Sequence, residues 1–148
     1  VKEPKNVVVP IGTALKEVFD FCGGFKEEPF TVLYGGPMMG IAVPDIMVPV
    51  IKQTNAILAL TNKETNVPKE TNCIRCGACV TNCPFGINAP AIMKGYKNKD
   101  VDAIVKAGAE ICMECGCCSF NCPANRPLVQ TNKLAKAMIR DYKAKEAK

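Results

Sequence analysis

Nine of the ten cysteines fall between residues 73 and 122, and eight of them form two runs with identical spacing. The first run is Cys73-x2-Cys76-x2-Cys79-x3-Cys83-Pro84, and the second is Cys112-x2-Cys115-x2-Cys118-x3-Cys122-Pro123. Each cysteine of the second run follows its counterpart by 39 residues, and a glycine follows the second cysteine of both runs. The sequence therefore contains an internal duplication that repeats four thiols and a following proline.

This spacing is typical of [4Fe-4S] ligation, because a cubane offers four iron corners and each corner takes one thiolate. In two-cluster proteins with this run, the fourth cysteine ligates the cluster of the other run. The spacing therefore predicts two crossed ligand sets, which we call cluster 1 and cluster 2. Cluster 1 is expected at Cys73, Cys76, Cys79 and Cys122, and cluster 2 at Cys112, Cys115, Cys118 and Cys83.

Zinc and disulfides are the competing interpretations of these thiols. Structural zinc sites usually pair two C-x2-C units across a longer gap than either run contains. Three cysteines within seven residues pair poorly with one another as disulfides. We therefore favour iron-sulfur clusters. Cys117 stands opposite Ala78 in the duplication, so it is expected to be an additional thiol beside the ligands.

The overall composition narrows the possible chemistry. The 148 residues include no His, which excludes Ser-His and Cys-His catalysis, Rieske centres and histidine-ligated haem. The net charge of +5 lies entirely in residues 126–148, which hold seven Lys or Arg and two Asp or Glu. No nucleic-acid motif accompanies this basic tail, so we expect a solvated helix face and no nucleic-acid partner. No uninterrupted apolar run is long enough for a transmembrane segment.

The distribution of residues predicts an α+β chain with two domains. We expect a small β-grasp-like domain over residues 1–62, a polar linker over 63–72, and a mostly α-helical two-[4Fe-4S] ferredoxin-type domain over 73–148. Strands are predicted for Asn6–Ile11, Phe30–Tyr34, Val48–Ile51 and Ala56–Leu60.

The first domain is also expected to contain one short helix. Thr13 is predicted to cap it, and its apolar face is expected to bury Cys22 as core filler. Residues 35–40, Gly-Gly-Pro-Met-Met-Gly, lack the Lys-Ser/Thr of a phosphate loop, so a tight turn with packed Met side chains is predicted.

The second domain is expected to be helical outside the cysteine runs. Helices are predicted for Asn88–Tyr96 and Asp100–Ala107, and for a longer segment after Pro127. The apolar stripe of the last helix is predicted to comprise Leu128, Ala135, Met138, Ile139 and Tyr142.

Several phrases resemble the C subunits of Rnf-type electron-transport complexes. They are the two cysteine runs, Glu114-Cys-Gly-Cys-Cys-Ser119 with Pro127-Leu-Val-Gln130, Val9-Pro-Ile-Gly-Thr13, Phe21-Cys-Gly-Gly-Phe25 and Gly35-Gly-Pro-Met-Met-Gly40. The resemblance covers nearly the whole chain, and the eight predicted ligands match the family's ligands position by position.

The resemblance implies a place in a membrane-bound ferredoxin:NAD oxidoreductase that moves sodium ions or protons. The two domains correspond to a soluble-ligand-binding β-grasp (SLBB) domain and a two-cluster ferredoxin domain. In the family, a domain for FMN and NAD(H) precedes them, and that domain is absent from these residues. The expected partners are this upstream domain and other subunits of the complex, including an iron-sulfur subunit, on the cytoplasmic side of the membrane.

Within this family the segment would relay single electrons and make no bond on a substrate. The nearest alternative is a cobalamin-reductase subunit of similar architecture, and a second is a ligand-binding module whose clusters are only structural. Arg75 and Glu114 occupy equivalent positions of the duplication. Because local charge is one determinant of cluster potential, we expect the cluster nearer Arg75 to have the higher reduction potential.

Overall fold

The computed structural model describes residues 1–65 and 68–146, and the chain divides into two compact units, Val1–Val67 and Pro68–Lys148. The first unit contains a three-stranded antiparallel sheet and one helix, whereas the second is built from helices. The predicted α+β class is therefore confirmed.

The first unit packs helix α1 against the sheet. Its elements are α1 (Leu15–Phe21), β1 (Thr31–Tyr34), β2 (Ile41–Val43) and β3 (Ile57–Leu60). Strand β1 lies in the centre of the order β2-β1-β3, with Leu33 opposite Ala42 on one side and Leu58 on the other. Helix α1 buries Leu15, Val18 and Phe19, which form one hydrophobic core with Val32 and Val50. Cys22 is 7% exposed, as predicted for core filler.

Two predicted strands of this unit are wrong. Residues 6–11 form no strand, and Val8 in the middle of the run is fully exposed. The run of residues 48–51 forms only a single bridge between Pro49 and Ala14. The physical reason in the second case is that proline has no N–H to donate to a ladder. Strand β2, which the sequence prediction missed, is only three residues long and ends just before Pro44.

The predicted cap of α1 is also wrong. The cap position is Ala14, and the Thr13 hydroxyl instead donates to the Pro10 carbonyl at 2.9 Å. The first helical amides are satisfied by a distant segment, because Leu15 N–H donates to Val48 O and Lys16 N–H to Ile46 O. Tertiary contacts therefore replace the side-chain cap that the sequence suggested.

The glycine-rich run forms the predicted turn, here between β1 and β2. Gly40 N–H donates to Gly36 O at 2.7 Å, and a Cβ at Gly40 would lie only 2.8 Å from Tyr34 O, so glycine is needed there. The prediction of packed Met side chains is wrong, because Met38 and Met39 are 40% and 50% exposed.

The second unit contains six helical segments among the described residues. They are α2 (Ala78–Thr81), α3 (Ala89–Asn98), α4 (Val101–Lys106), a 3-10 turn (Ala109–Ile111), α5 (Cys117–Phe120) and α6 (Leu128–Glu146). Asn88 caps α3 by accepting from Ala91 N–H, and Asp100 caps α4 by accepting from Ala103 N–H. These caps explain why the two helices begin where the sequence predicted.

The helices enclose two small cores. Ile92, Ile104 and Ile139 belong to one, and Met93 and Leu128 belong to the other. The buried face of α6 agrees with the predicted stripe at Leu128, Ala135 and Ile139, and Met138 is partly buried against the first core. The predicted stripe is wrong at Tyr142, which lies close to the end of the helix and is 44% exposed.

Replacing Gly95 by Ala is expected to destabilise the second unit. The new Cβ would lie 2.9 Å from Ile104 Cγ1 and 3.3 Å from Ile104 N, in the contact between α3 and α4. Overpacking of this kind costs about 1–3 kcal/mol, which exceeds the gain of about 1 kcal/mol in helix propensity. Thermal unfolding measures the effect. The exposed Lys94→Ala variant in the same helix is the control, and equal stabilities of the two variants would contradict the prediction.

No helix in residues 1–65 or 68–146 is both long enough and apolar enough to cross a membrane.

Candidate metal centres

The two cysteine runs fold into equivalent loops. In each loop a glycine with positive φ precedes a single helical turn, Gly77 before α2 and Gly116 before α5. Two residues earlier, Arg75 and Glu114 both have positive φ, at 58° and 59°. Non-glycine residues rarely adopt this conformation. The duplication in the sequence is therefore also a duplication of an unusual backbone path.

Cavity 1 brings together the four cysteines predicted for cluster 1. Its volume is about 290 Å³, and its lining includes Cys73, Cys76, Cys79 and Cys122. Cys122 comes from the second run, so the fold carries the fourth cysteine across to the first loop. Cys73 and Cys76 are exposed, which leaves this cavity open on one side.

Cavity 2 brings together the four cysteines predicted for cluster 2, with Cys117 as a fifth thiol. Its lining includes Cys83, Cys112, Cys115, Cys117 and Cys118, and its volume is only about 20 Å³. Cys83 comes from the first run, which mirrors the crossing at cavity 1. Cys83 and Cys112 also pack against the same hydrophobic core.

The thiols of each cavity lie close to one another, and several of them are at least partly buried. Burial raises the pKa of the Cys79 thiol, and the neighbouring Cys122, Cys73 and Cys76 add to the effect. Burial also raises the pKa of the Cys118 thiol to about 11. Several thiolates can share such a space only if positive charge compensates them, and ligated iron supplies that charge. The type and number of the predicted ligand thiols at each cavity therefore match the ligand set of an iron-sulfur cluster.

A single zinc ion would need its sulfur ligands about 2.3 Å from one point. In the described ranges, no three Cys, Asp or Glu side chains converge on a site for one metal ion. A cubane differs because it spreads its thiolates over four iron corners.

Charged groups near the two cavities differ, and most of them are paired. Arg75 and Arg126 line cavity 1, and the Arg126 guanidinium lies 3.4 Å from the Glu70 carboxylate. Glu114 lines cavity 2, and its carboxylate lies 2.8 Å from Lys136 Nζ. The pairing of Glu114 reduces the charge difference that the sequence suggested between the two sites. The remaining charge difference between the two sites comes from Arg75, which is exposed.

Asn132 lines cavity 2, and Lys136 contacts two residues of that lining, Cys112 and Glu114; sequence reasoning missed both Asn132 and Lys136. Asn132 is 1% exposed, and its Nδ2 lies 3.5 Å from Cys112 Sγ. Lys136 Nζ donates to the Cys112 carbonyl at 3.0 Å. The two residues are one helical turn apart on α6, and a polar residue inside the predicted apolar stripe was the available signal.

Cys117 lines cavity 2 beside the predicted ligands. A hydrogen bond with the Cys115 side chain raises the pKa of the Cys117 thiol, and partial burial adds to that effect. Its counterpart Ala78 has no thiol, so a ligand role for Cys117 is not required by the duplication.

The first unit has a cavity of its own, with a volume of about 500 Å³. Its lining combines apolar side chains with polar groups, which include Lys5, Asn6 and Asn55.

Comparison with known proteins accounts for both units. A model of the SLBB domain matches residues 1–42, and a model of the 4Fe-4S dicluster domain matches residues 65–123. The C subunit of the ion-translocating oxidoreductase complex of Rhodobacter capsulatus is 47% identical over 146 residues, which is 99% of this chain and 28% of the relative.

Two further relatives cover the chain in part. The C subunit of the proton-translocating ferredoxin:NAD(+) oxidoreductase complex of Clostridium ljungdahlii is 48% identical over 101 residues, 68% of this chain and 22% of the relative. The Na(+)-translocating counterpart from Acetobacterium woodii is 39% identical over 101 residues, 68% of this chain and 23% of the relative. The chain thus spans about a quarter of the length of these relatives. Through the two domain models and the identity across nearly all of its residues, the chain belongs to the family of C subunits of ion-translocating oxidoreductase complexes.

Proposed function

We propose that this chain relays single electrons through two [4Fe-4S] clusters inside an ion-translocating ferredoxin:NAD oxidoreductase. The observation that carries the proposal is the crossed assembly of cysteines, because each cavity combines the first three cysteines of one run with the fourth cysteine of the other. Such crossing ties the two loops into one helical unit and sets two redox groups within it. The match to the 4Fe-4S dicluster domain supports the same role.

The protein's part in this role is to hold and shield the clusters, which supply the one-electron chemistry when bound. Cys73, Cys76, Cys79 and Cys122 would hold cluster 1, and Cys112, Cys115, Cys118 and Cys83 would hold cluster 2. The Gly77 and Gly116 turns bend the loops around the two cavities. The two hydrophobic cores next to the cavities limit the access of water to the clusters from the protein interior.

The surroundings of the chain are proposed from its relatives. We place it in a membrane complex of several subunits, on the cytoplasmic face, where an iron-sulfur subunit would exchange electrons with it. FMN and NAD(H) would bind in a domain upstream of these residues. The domain limits 1–62, 63–72 and 73–148 remain our proposal for its organisation. In the structure, the end of the proposed linker belongs to the second unit, where Thr71 N–H donates to Ala124 O at 3.0 Å.

The test is electron uptake by the anaerobically purified complex that contains this chain. Reduced ferredoxin is the electron donor and NAD+ is the acceptor. The visible absorbance of the clusters is recorded over time after rapid mixing. We expect the clusters to be reduced by ferredoxin and reoxidised by NAD+, with about one electron stored per cubane. The Cys22→Ala variant is the control, because Cys22 lies in the other unit. Clusters that stay oxidised while NAD+ is reduced at the normal rate would overturn the proposal.

Replacing Arg75 by Glu is expected to lower the reduction potential of cluster 1. The substitution exchanges a positive for a negative charge at the lining of cavity 1, which disfavours the more negative reduced cluster. Because Arg75 is exposed to solvent, we expect at most about a tenfold change in the reduction equilibrium, equivalent to about 59 mV for one electron. Voltammetry measures both waves. Two unchanged waves would refute the prediction.

A further inference from the structure

The buried amide of Asn132 is an unusual feature of cavity 2. Asn132 lies on α6 at a position that faces the interior, between the buried Val129 and Ala135. Its Oδ1 is buried and has no hydrogen-bond partner among the described residues. A buried polar side chain normally has a clear partner. The polar contact that the structure shows for this amide is Nδ2 to Cys112 Sγ, at 3.5 Å.

The Cys112 sulfur is an effective hydrogen-bond acceptor for this amide when it is a charged thiolate. A neutral thiol is a weak hydrogen-bond acceptor, whereas hydrogen bonds to charged acceptors are about twice as strong as neutral ones. The backbone N–H of Glu114 also points at Cys112 Sγ, at 3.4 Å. Two donors therefore converge on one sulfur, which is the arrangement expected around a ligating thiolate.

The geometry of α6 holds the amide in this place. Lys136 lies one turn further along the helix and makes two contacts with the same loop. It donates a hydrogen bond to the Cys112 carbonyl and forms an ion pair with the Glu114 carboxylate. Asn132 and Lys136 thus face the segment 112–114 together. The position of the amide relative to the sulfur is set by a regular helix and two ionic or hydrogen-bonded contacts.

The duplication shows that this arrangement is specific to one site. A shift of 39 residues places Met93 of α3 at the position of Asn132. Met93 has no N–H to donate from its side chain, and its Sδ instead accepts from Arg126 Nη2 at 2.8 Å. Two otherwise equivalent loops therefore differ in one buried donor.

We propose that Asn132 raises the reduction potential of cluster 2 by donating a hydrogen bond to the Cys112 sulfur. Reduction adds negative charge, part of which resides on the thiolates, and a donor stabilises that charge. Asn132 is a positioning residue in this account because it acts through Cys112. The inference rests on the proposed clusters, and it predicts that this amide reduces the difference in potential that Arg75 is expected to produce in favour of cluster 1.

The test is voltammetry and EPR of the Asn132→Leu variant in the full chain, compared with Thr131→Val. Leucine has a similar size and no donor. Thr131 is a buried neighbour whose hydroxyl donates to Pro127 O and does not line cavity 2, so its replacement probes mere disturbance of α6. We expect Asn132→Leu to lower one of the two potentials and leave the other unchanged, with unaltered iron content. Thr131→Val should move neither.

A second comparison covers the case in which leucine disturbs the fold. Asn132→Gln keeps an amide donor, whereas Asn132→Ala removes it without adding volume, and the potential of cluster 2 should be lower in the Ala variant. Equal potentials in these two variants, or a shift in Thr131→Val as large as that in Asn132→Leu, would overturn the inference. Iron analysis of the unsubstituted chain distinguishes failure of this inference from failure of the proposed function. The absence of clusters would refute the proposed function itself.

Discussion

The Cys122→Ser variant is expected to lose the same cluster as Cys76→Ser, although the two cysteines belong to different runs. Both thiols line cavity 1, and the Cys122 sulfur is close enough to Cys79 to raise the pKa of that thiol. Serine is a poor ligand for iron in a thiolate site, so cluster 1 should be lost or converted to a three-iron form. If cluster 1 is lost completely, we expect the iron content of the chain to fall by about half.

The reciprocal pair provides the matched comparison. Cys83→Ser and Cys115→Ser should both damage cluster 2, because both thiols line cavity 2. EPR of the reduced proteins distinguishes the remaining cluster in each case. Loss of one signal in Cys76→Ser and Cys122→Ser, and of the other in Cys115→Ser and Cys83→Ser, is the expected pattern. If Cys83→Ser instead resembled Cys76→Ser, each run would hold its own cluster and the crossed assignment would be wrong.

Removal of iron is expected to unfold the second unit and spare the first. The second unit has two small cores, and eight cysteines of the duplication line the cavities beside them. Metal binding that occurs only in the folded state contributes directly to folding free energy, about 10 kcal/mol or more for structural metal sites. A small domain has about 5–15 kcal/mol in total. Loss of both clusters should therefore remove most of the stability of this unit.

Hydrogen exchange measured by mass spectrometry on the whole chain separates the two units. After anaerobic chelation of iron, amides of α3, α4 and α6 should lose their protection. Amides of β1 and β3 should keep theirs, because that core contains none of the eight predicted ligands. Retained protection throughout α3 and α6 in the iron-free chain would show that the helices, and not the clusters, stabilise the unit.

Local rules were sufficient where a single residue type determines the structure. Asn88 and Asp100 mark the starts of α3 and α4, since a side-chain cap is a contact between neighbours in sequence. The crossing of Cys83 and Cys122 into opposite cavities was also predictable, because it follows from the known use of this cysteine run.

Features that depend on distant segments were not predictable from the sequence. The start of α1 is satisfied by carbonyls of Ile46 and Val48, which the local sequence around Thr13 does not indicate. The role of Asn132 depends on α6 lying beside the loop that contains Cys112. The pairing of Glu114 with Lys136, which reduces the expected charge difference, also depends on that arrangement.

The most direct test of the central claim is the iron and acid-labile sulfide content of the chain after anaerobic purification. Two cubanes require about eight irons and eight sulfides per chain and a brown protein. The Cys117→Ala and Cys22→Ala variants should each retain this iron and sulfide content, since neither thiol belongs to the proposed ligand sets. A colourless protein that contains zinc and no sulfide would contradict the account.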